Sequence, residues 1–290
     1  MKPARFAYHG PTTVEEALQI LAVHSEDAKV LAGGQSIVPM LAMRLTRFDH
    51  LIDLNRVAEL SSIDVVDGWL RIGAMTRQAV AERSAAVAGA APLVARAIPK
   101  IGHFQIRNRG TVGGSIAHAD PASELPAVAT CLGAKIEVRS AGGIRLIDAT
   151  DFFISVWETV LEPDEILTAV LFPVAAPHSG FAIDEVAWRS GDFAIAGAAC
   201  AVALDADGRI AQVGLSMMGM SPTPERAGDA EAALVGQRPE EIDLDAVAAS
   251  VVATTSPLSD VHAPASYRKT VGRVLVKRVL ANACTEATHG

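Results

Sequence analysis

The stretch Gly110 to Pro126, GTVGGSIAHADPASELP, constrains this chain more than any other, because it sets a paired glycine, small hydroxyl residues and two carboxylates in one turn-rich run. Paired glycines let backbone N–H groups come close to a ligand, since no Cβ intervenes and positive φ costs little. The hydroxyls of Thr111, Ser115 and Ser123 are then available to a phosphate or ribitol chain. Leu31 to Ser36, LAGGQS, repeats this chemistry eighty positions earlier (113 minus 33). Either pair alone reads equally well as a plain turn. Together, each after a strand or extended stretch, they suit a ligand with two phosphates.

Known phosphate loops are a poor match. Neither run reads GxGxxG, and no lysine follows the glycines as a P-loop requires. There is no GxSxG elbow, so a hydrolase is a distant reading. His118 near Asp120 fits a general base or a metal ligand, but a histidine inside a cofactor loop more often orients backbone or stacks on a ring. Met217, Met218 and Met220 read as core or interface packing. Arg107 and Arg109 beside the motif read as phosphate contacts or as solvated side chains.

A chain of 290 residues predicts two or three subdomains. The net charge of -8 and pI near 5.5 give no reason to propose nucleic acid or an anionic membrane as partner. No apolar run reaches membrane-spanning length and the N-terminus has no signal-peptide core, which predicts a cytoplasmic protein. Cys131, Cys200 and Cys284 lie far apart with no CxxC pair, so this chain alone is not expected to hold an iron-sulfur cluster or a structural zinc. They read as buried, reduced thiols.

Along the chain, capping boxes at Thr12/Glu15 and Thr13/Glu16 predict a helix from Val14 to His24. Ala28 to Ala32 reads as a strand into Gly33-Gly34, with a helix from Ser36 to Leu45 beyond it, Pro39 falling in the first turn. His50 to Leu54 is a strand, and Asp67-Gly68 between alternating apolar residues predicts a hairpin. Helices are expected at Arg77–Arg83, Pro92–Ile98 and Ala122–Leu132, and strands at Lys135–Arg139, Ile144–Ile147 and Asp164–Phe172. Pro173 and Pro177 mark a boundary. Strands at 181–188, 194–204 and 210–219, then helices at 225–235, 244–254 and 265–283, predict an α+β second half.

LAGGQS, RGTVGGSIAHADPASELPA at 109–127, DEIL at 164–167 and RSGDFAIAGAA at 189–199 together resemble the medium, FAD-binding subunit of molybdenum hydroxylases, the family of xanthine dehydrogenase and aerobic carbon monoxide dehydrogenase. The resemblance covers essentially the whole chain. It implies an α+β protein: a two-lobed FAD-binding domain of vanillyl-alcohol-oxidase type at 1–175, with lobes 1–57 and 58–175, then a small C-terminal domain at 176–290 with a three-stranded antiparallel sheet plus helices. It also implies that both glycine loops wrap the FAD pyrophosphate, the first through Val30, Leu31, Ala32, Gly33, Gly34, Gln35, Ser36 and Ile37. The second does so through Gly110, Thr111, Val112, Gly113, Gly114 and Ser115. Ile101, His118, Ser123, Glu124, Leu167, Glu185 and Phe193 complete the implied cofactor site. No catalytic residue or metal ligand is implied in this chain.

Four positions depart from the family pattern. Gln35 stands where a histidine or threonine is common, Ser115 where asparagine or aspartate is common, and Glu185 where xanthine dehydrogenases carry a lysine. Phe193 keeps an aromatic face where related subunits have tyrosine, without its hydroxyl. The resemblance implies an electron-transfer subunit that takes electrons from [2Fe-2S] clusters in a small partner and passes them through FAD to an external acceptor. The molybdopterin cofactor resides in a large partner, in a dimer of heterotrimers, with a cytoplasmic location or one peripheral to the inner face of the membrane. Two other readings stand beside it: a self-sufficient FAD-dependent oxidoreductase, and a non-catalytic nucleotide-binding or assembly module.

Overall fold

The computed structural model describes residues 2–290, and its elements follow closely from local chemistry. Thr13 caps the first helix, Val14–His24, by accepting from the Glu16 N–H at 3.1 Å, while the Glu16 carboxylate accepts from the Thr12 N–H at 2.7 Å. Its apolar stripe, Val14, Ala17, Leu18 and Leu21, is buried with Ile52 and Leu54. That stripe covers a three-stranded parallel sheet in the order Ala7–His9, His50–Asp53, Ala28–Leu31. The helix after LAGGQS is shorter than expected, Ile37–Ala42, because Arg44 turns the chain into the left-handed region at φ 58°.

A five-stranded antiparallel sheet follows, ordered Ile63–Val66, Trp69–Gly73, Ile166–Pro173, Lys135–Ser140, Gly143–Asp148. Asp67 and Gly68 make its first hairpin with φ of 50° and 79°, the pair of positive values that a two-residue turn of matching twist needs. Helices Gln78–Glu82, Ala85–Ala90, Pro92–Ala97 and Glu124–Leu132 are associated with this sheet, and their buried faces join its core with Leu70, Ile72, Ile136, Phe152 and Phe172. Removing one such side chain from water contributes roughly 1.5–3 kcal/mol. Ala85–Ala90 and the short hairpin Phe153–Ser155/Glu158–Thr159 were not anticipated from sequence.

The last sheet runs Ser179–Val186, Ala196–Leu204, Ile210–Met218, Glu225–Arg226. It has four strands where three are expected, because Glu225 and Arg226 pair with Met217 and Ser216 before the helix begins at Gly228. The Ala227 N–H still donates to Leu215 O, so the chain is released from the sheet only after it. Leu244–Thr254 and a 25-residue helix, Ala265–His289, pack with this sheet. Met217, Met218 and Met220 are fully buried, as packing residues should be. All three cysteines are free and buried. Burial raises the Cys131 thiol to about 12 and the Cys284 thiol to about 11, so neither offers a thiolate at neutral pH.

Candidate cofactor site

The two glycine runs meet, but they are built differently. LAGGQS leaves the C-terminal end of its parallel strand as an open turn, with Gly34 at φ 78°. Among the described residues, the N–H groups of Gly33, Gly34, Gln35 and Ser36 have no protein acceptor. The nearest side-chain bond in the turn is a long one, Gln35 Nε2 to Gly33 O at 3.4 Å. Such a row of unspent donors is the kind of concavity that takes an anion.

GTVGGS is not a loop. Thr111 caps a helix at Val112–His118, accepting from the Gly114 N–H at 3.0 Å, so the expected turn-rich run is helical through its glycines. Gly113 N–H donates to Ala74 O at 2.9 Å and Val112 N–H to Thr76 O at 3.0 Å. These donors are consumed inside the protein, and the glycines allow close packing. A Cβ on Gly113 would lie 2.6 Å from Ala74 Cα, and one on Gly114 would lie 2.6 Å from Thr111 Oγ1 and 3.2 Å from Ala32 Cβ. The same holds for Gly33, whose Cβ would strike Arg109 O and come within 2.8 Å of Gly110 Cα. Backbone thus lies against backbone where the two runs cross.

Two residues to which the sequence assigns no part in the site hold that crossing. The Arg77 guanidinium donates to Arg109 O and to Asn55 Oδ1, and Asn55 Nδ2 donates to Ala32 O at 2.9 Å. Asn55 is in turn held by Asp53 through both its backbone and side-chain N–H groups. Their signal is only spatial: 53, 55 and 77 form no recognisable spacing. Arg107, read as a phosphate contact or a solvated group, is neither. Its fork binds the Glu82 carboxylate at 2.9 and 3.1 Å and its Nη1 donates to Ile101 O and Gly102 O.

The remaining expected residues have these surroundings. Ser36 and Ser123 occupy helix N-cap positions without capping, and Ser115 makes no hydroxyl hydrogen bond, so three of the four hydroxyls remain available among the described residues. Thr111 alone spends its oxygen on the backbone. His118 is half-buried and stacked on Trp157, with ring centroids 6.1 Å apart. Trp157, at φ 61°, is tied to the same segment by its indole N–H on Asp120 Oδ2 and its backbone N–H on Ala119 O. Burial lowers the His118 pKa, outweighing the opposing pull of Asp120, which leaves a neutral ring.

Two carboxyls sit in unusual surroundings. Burial raises Glu124 to about 8, with Glu185 adding to the shift, so its carboxyl favours the protonated form near neutral pH. Glu185 is also raised, chiefly by burial, and its Oε2 is buried with no partner among the described residues. Leu167 is buried at a register shift in its strand, and Ile101 ends a 3-10 turn. Phe193 is exposed, on the wall of a cleft of about 620 Å³ that also includes Pro121, Trp188, Asp260 and Arg268. Unspent turn donors, free hydroxyls and an orphaned buried carboxyl oxygen together fit a dinucleotide bound across the crossing.

Residues 4–175 match the family described as the FAD binding domain in molybdopterin dehydrogenase, and residues 181–283 match the carbon monoxide dehydrogenase flavoprotein C-terminal domain. A similar protein, the 6-hydroxypseudooxynicotine dehydrogenase complex subunit alpha of Paenarthrobacter nicotinovorans, is 40% identical over 99% of this chain and 97% of its own. The carbon monoxide dehydrogenase medium chain of Afipia carboxidovorans is 34% identical, with 100% of both chains covered. Among solved structures, carbon monoxide dehydrogenase from Hydrogenophaga pseudoflava superposes with a TM-score of 0.95 at 35% identity, covering 99% of each chain. Quinoline 2-oxidoreductase from Pseudomonas putida 86 gives 0.92 at 34% identity, with 99% of each chain covered.

Proposed function

The chain belongs to the family of FAD-binding subunits of molybdopterin dehydrogenases, and from that premise we propose that it is the electron-transfer flavoprotein of a heteromeric molybdenum hydroxylase. The row of unspent N–H groups at Gly33–Ser36 carries this reading, because it supplies donors for a pyrophosphate at a point the second glycine run buttresses. Its fold class is α+β, a two-lobed FAD-binding domain of vanillyl-alcohol-oxidase type and a smaller C-terminal domain. We place the division at 175/176, with the first domain's lobes meeting near residue 57.

When bound, FAD supplies a centre that accepts electrons from one donor and releases them to another. The protein's own residues do the rest. Gly33, Gly34, Gln35 and Ser36 hold the pyrophosphate through backbone N–H groups, with Val30, Leu31, Ala32 and Ile37 shaping the turn. Ser36, Ser115 and Ser123 offer hydroxyls to the polar chain. Gly110, Val112, Gly113 and Gly114 allow the close approach that positions the turn, and Thr111 fixes the helix on which they lie. Glu124, protonated at neutral pH, donates a hydrogen bond that an ionised carboxylate would refuse. Ile101, His118 and Leu167 flank the seat, Glu185 contributes its unpartnered oxygen, and Phe193 gives an aromatic face at the solvent side.

Three buried, separated thiols leave the [2Fe-2S] clusters to a small partner subunit. We place the molybdopterin cofactor in a large partner, and the complex as a dimer of heterotrimers. Among the described residues no helix is long and apolar enough to cross a membrane. We place the complex in the cytoplasm, with any membrane contact peripheral. The reading is tested by redox titration of the isolated, FAD-loaded chain. Dithionite should bleach the flavin, whereas aldehydes and N-heterocycles should leave it oxidised until the partner subunits are added. Prompt bleaching of the isolated chain by such a molecule would instead make it a self-sufficient oxidoreductase.

A further inference from the structure

The parallel sheet that delivers LAGGQS carries an unrelated feature on the face covered by the first helix. His9 ends one strand, His50 opens the next, and His24 ends the helix. Register places the first two together. Ala7 is paired with His50, and His9 lies two residues beyond Ala7, so both imidazoles project from the same face of the sheet. Ile52, on that face as well, is fully buried against the helix whose last residue is His24. Sequence spacing conceals this convergence, since the three residues lie 15 and 26 positions apart (24 minus 9, 50 minus 24).

The rings are close and their nitrogens converge. His9 Nε2 is 2.9 Å from His50 Nδ1, the His24 and His50 ring centroids are 3.6 Å apart at 17°, and those of His9 and His24 are 5.4 Å apart. One nitrogen from each ring lies within 4.8 Å of the other two. Three imidazole ligands at about 2.0–2.1 Å around a tetrahedral ion have nitrogens about 3.3 Å apart, so the distances suit one ion once the stacked His24 and His50 rings turn out of parallel to aim their lone pairs at a common point. All three are half-buried, so an ion has access from solvent. The His9–His50 bond requires a lone pair on one of the two rings.

We propose that His9, His24 and His50 form a binding site for one divalent transition-metal ion of the zinc or copper class, its fourth position open to water. The ion would clip the first strand, the first helix and the following strand together. His50 opens its strand opposite Ala28, whereas LAGGQS follows the other end of the Ala28–Leu31 strand, so the site is distinct from the flavin seat. Imidazole nitrogen is a donor suited to zinc and copper, and the absence of a carboxylate or thiolate in the cluster disfavours magnesium, calcium and iron-sulfur chemistry.

The test is metal titration of the full-length, metal-free chain at pH 7.5. Copper(II) should bind at one equivalent with nitrogen hyperfine splitting in its electron paramagnetic resonance spectrum, and should displace zinc bound beforehand. Zinc should also raise the Tm in proportion to occupancy. His9→Ala, His24→Ala and His50→Ala should each weaken binding at least tenfold, while His289→Ala, at the far end of the chain, should leave it unchanged. FAD binding by each variant reports whether it has folded. If a variant fails to fold, the wild-type spectrum still decides, because the ligand nitrogens are read there directly. Failure of wild-type protein to bind copper at micromolar concentration, a spectrum without nitrogen splitting, or an affinity untouched by the histidine substitutions would overturn the site.

Discussion

At the scale of single residues, the glycines of the candidate site divide by what their missing Cβ allows. Gly34 needs its positive φ, whereas Gly33 and Gly113 are glycine because other backbone occupies the Cβ position. Gly33→Ala should therefore destabilise the chain by about 1–3 kcal/mol in urea unfolding and lower FAD affinity as the two runs separate. Gly68→Ala, where the Cβ meets nothing, bears only the local cost of its positive φ and should retain FAD. Glu124 makes a second prediction. Its folded pKa of about 8 lies above the ordinary 4.5, so the folded state holds a proton that the unfolded state has released between those values. Its favourable contribution is complete below pH 4.5 and is lost as pH rises through 8, by an amount on the order of a few kcal/mol. In the cofactor-free chain, Glu124→Gln should thus gain in Tm over wild type as pH goes from 5 to 8. A constant difference would show that Glu124 ionises normally. Neither property was legible in the sequence, which locates the residues; the collisions and the burial arise from distant segments.

Elements were more legible than the contacts between them. The helix Val14–His24, the Asp67-Gly68 hairpin and the helix Leu244–Thr254 follow from caps, turn residues and apolar spacing, all of which are local. The central motif was misread as a turn because two adjacent glycines weaken a helix, and the Thr111 cap with its bonds to Ala74 and Thr76 overrides that propensity. The fourth strand of the last sheet was missed for a similar reason: its two residues acquire extended structure from Ser216 and Met217. Arg77 and Asn55 belong to this scale, since they lock one run to the other. Arg77→Ala and Asn55→Ala should each weaken FAD binding by roughly tenfold, and the double variant should fall well short of the product, because the two act through one hydrogen-bond path. Full multiplicativity would mean that they act separately.

For the whole molecule, the FAD-family region and the C-terminal sheet are joined by specific contacts. The Arg96 guanidinium grips Glu286 and Phe181 O. Cys131 donates to Ala199 O and Gly214 O across the same junction. Such contacts favour a rigid carrier, consistent with a chain whose task is to hold one cofactor between partners. The fold class and family were readable in the motifs, but the unequal roles of the two glycine runs required the tertiary structure. The central claim is that the turn Gly33–Ser36 seats FAD. It is tested most directly by titrating the purified chain with FAD and measuring the stoichiometry from the flavin absorbance of the protein fraction. The account predicts one FAD per chain, released by heat and bound more weakly in Gly33→Ala; a folded wild-type chain that stays colourless in excess FAD would contradict it.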